Sequence, residues 1–173
     1  MRKIRKKVFE TNSSSVHTLE CVPTEEDFME KPDYKGESCE IPLCEFGWSG
    51  ECETWKQKLA YLILMIWETL PYDKVKKADA MLWCGNVKEY ASAIKLLTEQ
   101  PAYKSLEEVI LPYINASSLE ITGSGYIDHQ SYEAYENLED WLVSNNVGTS
   151  DQDILLFVFG KASITISNDN GDW

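Results

Sequence analysis

Residues 54–71 read Thr-Trp-Lys-Gln-Lys-Leu-Ala-Tyr-Leu-Ile-Leu-Met-Ile-Trp-Glu-Thr-Leu-Pro, and this stretch decides the fold. Thr54-Trp-Lys-Gln57 is a capping box, in which the Thr hydroxyl and the Gln side chain satisfy N–H groups that a helix start leaves open. Trp55, Leu59, Leu62, Ile63, Ile66, Trp67 and Leu70 recur at helical spacing, and Pro71 stops the run. Ala60, Tyr61, Leu64 and Met65 widen that stripe until little polar face remains. A helix apolar nearly all round must be buried, so this one is the spine of a core. Its aromatic residues are packing, not chemistry.

Working outward, the N-terminal side predicts strands over residues 3–10 and 15–22 and a short helix from Thr24 to Met29. Residues 30–53 carry Pro32, Gly36, Pro42, Gly47 and Gly50, a loop-rich composition with room for one strand at Ser38 to Leu43. On the C-terminal side, Asn86-Val-Lys-Glu89 and Ser105-Leu-Glu-Glu108 predict two more capped helices. Their inward faces are Tyr90, Ala93, Ile94, Leu97 and Leu106, Val109, Ile110, Tyr113. Ser117 to Thr122 is an expected strand ending at Gly123-Ser-Gly125. Ser131 to Ser144 is an expected helix. Ile154 to Phe159 and Ser163 to Ser167 resemble two strands, although Ser150-x-x-Asp153 is a start that would make the first of them helical. No repeat or linker divides the 173 residues, so 1–173 is expected to be a single domain. The expected class is α+β, a small mixed or antiparallel sheet of N- and C-terminal strands packed on four to five helices, one fully buried.

The formal charge is −13, and it is unevenly spread. Arg2, Lys3, Arg5, Lys6 and Lys7 crowd the start, whereas residues 105–160 hold no Lys or Arg. Glu107, Glu108, Glu120, Asp128, Glu133, Glu136, Glu139, Asp140, Asp151 and Asp153 all fall in that span. It is either a solvated face that aids solubility or a surface for a basic partner. Direct binding of nucleic acid by the bulk of the chain is not expected, because phosphates are repelled. The longest apolar run, Leu59 to Trp67, is too short for a bilayer, which takes about 20 residues. The basic start lacks the apolar core of a signal peptide, so a cytoplasmic location and no membrane partner are expected.

Cys21, Cys39, Cys44, Cys52 and Cys84 are an odd number, which argues against a disulfide framework. Cys39, Cys44 and Cys52 are spaced too widely for the usual Cys-x2-Cys zinc pair, so free thiols, no metal and no cofactor are expected. The two histidines lie in polar clusters. Asn12-Ser-Ser-Ser-Val-His17 offers hydroxyls and turn N–H groups that can hold an anion beside an imidazole. Asp128-His-Gln-Ser131 puts a carboxylate next to the second imidazole, and Asn168-Asp-Asn170 adds further oxygens. Hydrogen-bonded turns and caps are the commoner use of these residue types. Glycine-rich phosphate loops and the Gly-x-Ser-x-Gly elbow are missing.

Phe9-Glu-Thr-Asn-Ser-Ser-Ser-Val-His17, Glu45-Phe-Gly-Trp48, Gly125-Tyr-Ile-Asp-His-Gln-Ser131 and Ser163-Ile-Thr-Ile-Ser-Asn-Asp-Asn170 together resemble motifs of an uncharacterised family of bacteriophage and mobile-element proteins. The first motif is the most specific, and apart from Glu45–Trp48 the cysteine-bearing 39–52 region has no counterpart. The resemblance implies a phage-type origin and no particular catalytic role. With the charge pattern, it leads to an expected non-enzymatic anti-defence protein. Such a protein inhibits a basic, nucleic-acid-handling host protein, CRISPR-effector-like, in the host cytoplasm. Its partner surface is expected at Glu133, Glu136, Glu139 and Asp140, displayed as a ridge by the 131–144 helix, with Glu107 and Glu108, and Asn12, Ser13, Ser14 and Ser15 are expected as an anion-binding turn. The alternative is a small enzyme acting on a nucleotide or anionic metabolite, with His17, Asp128 and His129 as its acid–base groups beside Asn168 and Asp169. A structural phage protein assembled as a homo-oligomer is a third.

Overall fold

A computed structural model describes residues 28–46, 50–78, 80–82, 87–127, 136–161 and 164–166. The class is α+β. The elements in chain order are β1 (Ser38–Phe46), β2 (Gly50–Cys52), α1 (Trp55–Glu68), α2 (Tyr72–Ala78), α3 (Val87–Thr98), α4 (Pro101–Ile114), β3 (Ser118–Ile127), α5 (Leu138–Ser144), α6 (Asp151–Phe159) and β4 (Ile164–Ile166).

The capping box at Thr54 forms as the sequence dictates. Gln57 N–H donates to Thr54 Oγ1 at 3.3 Å, and Thr54 N–H donates to Gln57 Oε1 at 3.0 Å. From Lys58 to Trp67 every residue of α1 is buried. The helix is packed against β1, β3, α4, α5 and α6. An aromatic chain ties these layers together. Phe46 meets Tyr61 edge-on at 5.1 Å, Tyr61 lies 5.5 Å from Trp141, and Trp141 lies 5.9 Å from Phe157. Such pairs add about 0.5–1.5 kcal/mol each beyond the area they bury.

β1 and β3 run parallel, from Ser38 opposite Ser118 to Phe46 opposite Ile127. The pair is thus built from internal strands, with α1 to α4 in the crossover between them, as a parallel connection requires. β2 and β4 form a separate antiparallel pair, which does use the expected C-terminal strand. Along β1, Cys39, Ile41 and Leu43 face the core and Glu40 and Pro42 face out, the period-2 pattern of a half-buried strand. The register slips between Leu43 and Glu45, a bulge that shifts the alternation.

Several boundaries differ from the sequence reading, each for a physical reason. β3 continues through Gly123-Ser-Gly125 instead of ending there, because the glycines let its backbone lie close to the β1 bulge. A Cβ on Gly125 would run into the Cys44 carbonyl and sit 2.9 Å from the Cys44 nitrogen. Gly125→Ala is therefore expected to cost about 2 kcal/mol, the usual scale of overpacking. Chemical denaturation checks this, and a loss near zero would mean that the strands can part at the bulge.

α4 opens at Pro101, which fills the first helical position, so Ser105 lies inside the helix and is not its cap. Ile154 to Phe159 is helical rather than extended. Ser150 and Asp153 form a reciprocal capping box that starts α6, and Phe157, Val158 and Phe159 are buried. Phe28 and Met29 are in extended pairing with the end of α6, not in a helix: Met29 N–H donates to the Phe159 carbonyl at 2.7 Å. α5 begins only at Leu138, where Asn137 accepts from Asp140 N–H at 2.9 Å. The expected strands at 3–10 and 15–22 lie outside the described residues.

Candidate functional site

α4, α5 and the start of α6 converge over the middle of α1 and leave an open cavity of about 280 Å³. Leu62 of α1 forms its floor. Ala102, Ser105 and Leu106 come from α4, Leu138, Glu139 and Leu142 from α5, and Thr149 and Ile154 from the start of α6. Each wall follows from local sequence. Leu106 lies on the apolar stripe of α4, and Leu138 and Leu142 are one helical turn apart on α5, so they share a face. Leu106, Leu138 and Leu142 are buried, at 2%, 8% and 3% exposure, so the cavity is apolar below and polar at its lip.

The acidic residues expected to form a partner surface divide into engaged and unengaged groups. Glu107 is engaged, since its carboxylate holds Lys104 Nζ at 2.9 Å and its side chain is only 17% exposed. Burial first, and then Glu107, push the neighbouring Tyr103 hydroxyl above the ordinary phenol range. Asp140 is engaged locally, its carboxylate accepting from Glu136 N–H at 3.3 Å. Asp153 is held by the α6 capping box. Glu139 also lies in the first turn of α5, where the helix dipole favours a negative charge. Glu108, Glu136, Glu139 and Asp151 are exposed, and they present carboxylates to solvent. Glu139 is on the lip of the cavity. Glu108 is one turn along α4 from Ser105, and Asp151 is two residues beyond Thr149.

The expected ridge of Glu133, Glu136, Glu139 and Asp140 on one continuous helix is corrected. Glu136 precedes the Asn137 cap, so it stands off α5 and out of helical register with Glu139 and Asp140. Glu133 lies outside the described residues, as do Asn12, Ser13, Ser14, Ser15, His17, Asp128, His129, Ser131, Asn168, Asp169 and Asn170.

Cys39 and Cys52 are buried and Cys44 is half-buried, all three as free thiols. Burial raises all three, and carries Cys52 up to about 12 with a smaller contribution from Cys44 and an opposing one from Lys58. Thiolate is thus scarce at neutral pH, and these sulfurs are poor nucleophiles and poor ligands. Among the described residues, no three His, Cys, Asp or Glu side chains gather as a metal site would require. No helix among them is long and apolar enough to cross a membrane.

One perturbed group escaped sequence reasoning. Glu68, the last residue of α1, has its carboxyl pushed up to about 7 by burial, with the Ile127 backbone N–H opposing part of the rise. The residue type itself does not signal this, because an acid at a helix end normally reads as solvated. The apolar residues before it were the available hint. No family model, no curated protein and no solved structure matches the chain.

Proposed function

We propose that the protein works by binding rather than catalysis, holding a basic, nucleic-acid-handling protein on the face made by α4, α5 and α6. One observation carries the reading. The chain from Ser105 to Gly160 supplies most of that face and has no cation, and Lys104 just before it is held by Glu107, while Glu139 stands exposed on the lip of the cavity and Glu108 and Asp151 stand exposed on α4 and α6. A positive groove built for phosphates meets complementary charge there, which speeds encounter and fixes register more than it adds affinity. The resemblance to phage and mobile-element proteins supplies the setting, that of an anti-defence protein occupying the nucleic-acid channel of a CRISPR-effector-like host protein.

The reading predicts that the immobilised protein retains nucleic-acid-binding proteins from a bacterial lysate at low salt and releases them as salt rises. Glu108→Lys/Glu139→Lys/Asp151→Lys is expected to reduce that retention about tenfold or more. Retention of no nuclease or nucleic-acid-binding protein, or retention untouched by the reversal, would overturn it.

The second reading, a small enzyme acting on a nucleotide or anionic metabolite, is favoured by Glu68. A carboxyl that titrates near neutrality is suited to taking and returning a proton. It accepts a hydrogen bond from Ile127, and Asp128 and His129 follow directly in the chain. Added nucleoside monophosphates are expected, on this reading, to displace the Glu68 titration followed by NMR. An unmoved titration across the four common bases removes the nucleotide as its substrate.

A further inference from the structure

Resting on the binding reading above, we infer that the cavity between α4, α5 and α6 is an anchor pocket for one large apolar side chain, Leu, Phe or Met, flanked by Lys or Arg in the partner. Its volume, about 280 Å³, falls just below the ~300–1,000 Å³ range of small-molecule sites. That space accommodates one large side chain. Leu62, Leu106, Leu138 and Leu142 make the floor and walls apolar. The lip carries Glu139, and Val143, one turn further along α5, is an exposed apolar residue at 60%. A phosphate is repelled at such a lip, and an uncharged apolar peptide leaves the Glu139 carboxylate without a partner. An apolar residue between cations satisfies both parts.

The arrangement divides the energetics. In protein interfaces a few buried apolar anchors hold most of the affinity, and rim charges act on association rate and salt dependence. The acidic lip is the rim and the leucine-lined cavity is the seat. The two functions are therefore separable by substitution.

Two fluorescent nonapeptides of equal positive charge test this, one with a single Phe between lysines and one with Ser in its place, read by anisotropy at low salt. The Phe peptide is expected to bind about tenfold more tightly and to shift the methyl resonances of Leu106, Leu138 and Leu142. Ala102→Trp, which fills the cavity, is expected to lower the Phe peptide to the level of the Ser peptide and leave the latter unchanged. Ser105→Phe does the same from the exposed side of α4, should Ala102→Trp fail to fold. Glu139→Lys weakens both peptides. Equal affinity of the two peptides, with Glu139→Lys still weakening both, would overturn the anchor and leave the acidic-face reading standing. Failure of both peptides to bind overturns both.

Discussion

Lys58→Ala is expected to lower stability by about 4 kcal/mol, the largest loss of any substitution considered for this protein. Lys58 is the only charged residue with no exposure among the described residues. It lies among the apolar residues of α1, and its ammonium donates to the carbonyl of Gly160, the C-cap of α6. A cation at a helix C-terminus also complements the helix dipole. Truncation to Ala removes three buried methylenes, worth about 0.8 kcal/mol each. It also leaves a buried carbonyl without its donor, which costs about 1–3 kcal/mol. For a chain of this size such a loss lowers Tm by about 10 °C. Lys58→Met keeps most of the stem and removes the cost of a buried charge, so its loss is expected near 1 kcal/mol. Urea denaturation of the two variants separates stem from ammonium. Equal losses in both would show that the tie to Gly160, rather than the packing of the stem, dominates.

Glu68→Gln is expected to remove most of a stability change that spans acid to neutral pH. The Glu68 carboxyl titrates at about 7 in the fold against an ordinary 4.5. Between those values the native state holds a proton that the unfolded chain has lost. The contribution is therefore complete below pH 4.5 and disappears as pH rises through 7. The full shift corresponds to about 3 kcal/mol, at 1.36 kcal/mol per pH unit. Glutamine mimics the protonated acid and can still accept from the Ile127 N–H. At pH 5 the variant is expected to match the parent closely, and at pH 8 to exceed it by about 3 kcal/mol. Denaturation midpoints measured across that range decide it, and parallel curves for the two proteins would show that Glu68 is not the titrating group.

What was legible in the sequence was what local rules determine. The Thr54 cap and the period of α1 are set within a few residues, and both stand in the structure. Ser105-x-x-Glu108 misled because the same residue pattern occurs inside a helix, and Pro101 at the first helical position had the prior claim on the start. Ile154 to Phe159 misled because a short apolar run fits a strand or a buried helix equally well, and only the Ser150–Asp153 cap separates them. Gly123 and Gly125 signalled a strand end by propensity. Their actual role, letting β3 approach the β1 backbone, depends on a partner far away in the chain. The candidate site divides in the same way. The absence of cations from residues 105–160 is visible in the sequence, and it led directly to Glu108 and Glu139. The cavity is not, since Leu62, Leu106 and Leu138 belong to three separate helices that only tertiary packing brings together.

The parallel pairing of β1 with β3 sets an order of events during synthesis. β1 has no strand partner among the described residues until Ile127 has been made and has left the ribosome, with residues 47–117 emerging in between. At ~5–20 residues per second that interval is on the order of ten seconds. Throughout it α1, apolar on nearly every side, emerges without the strand and the C-terminal helices that later cover it. The nascent chain thus carries an exposed greasy helix for longer than its size alone would suggest. Chaperone capture of the growing polypeptide is expected to peak before residue 127 is released and to fall once β3 docks.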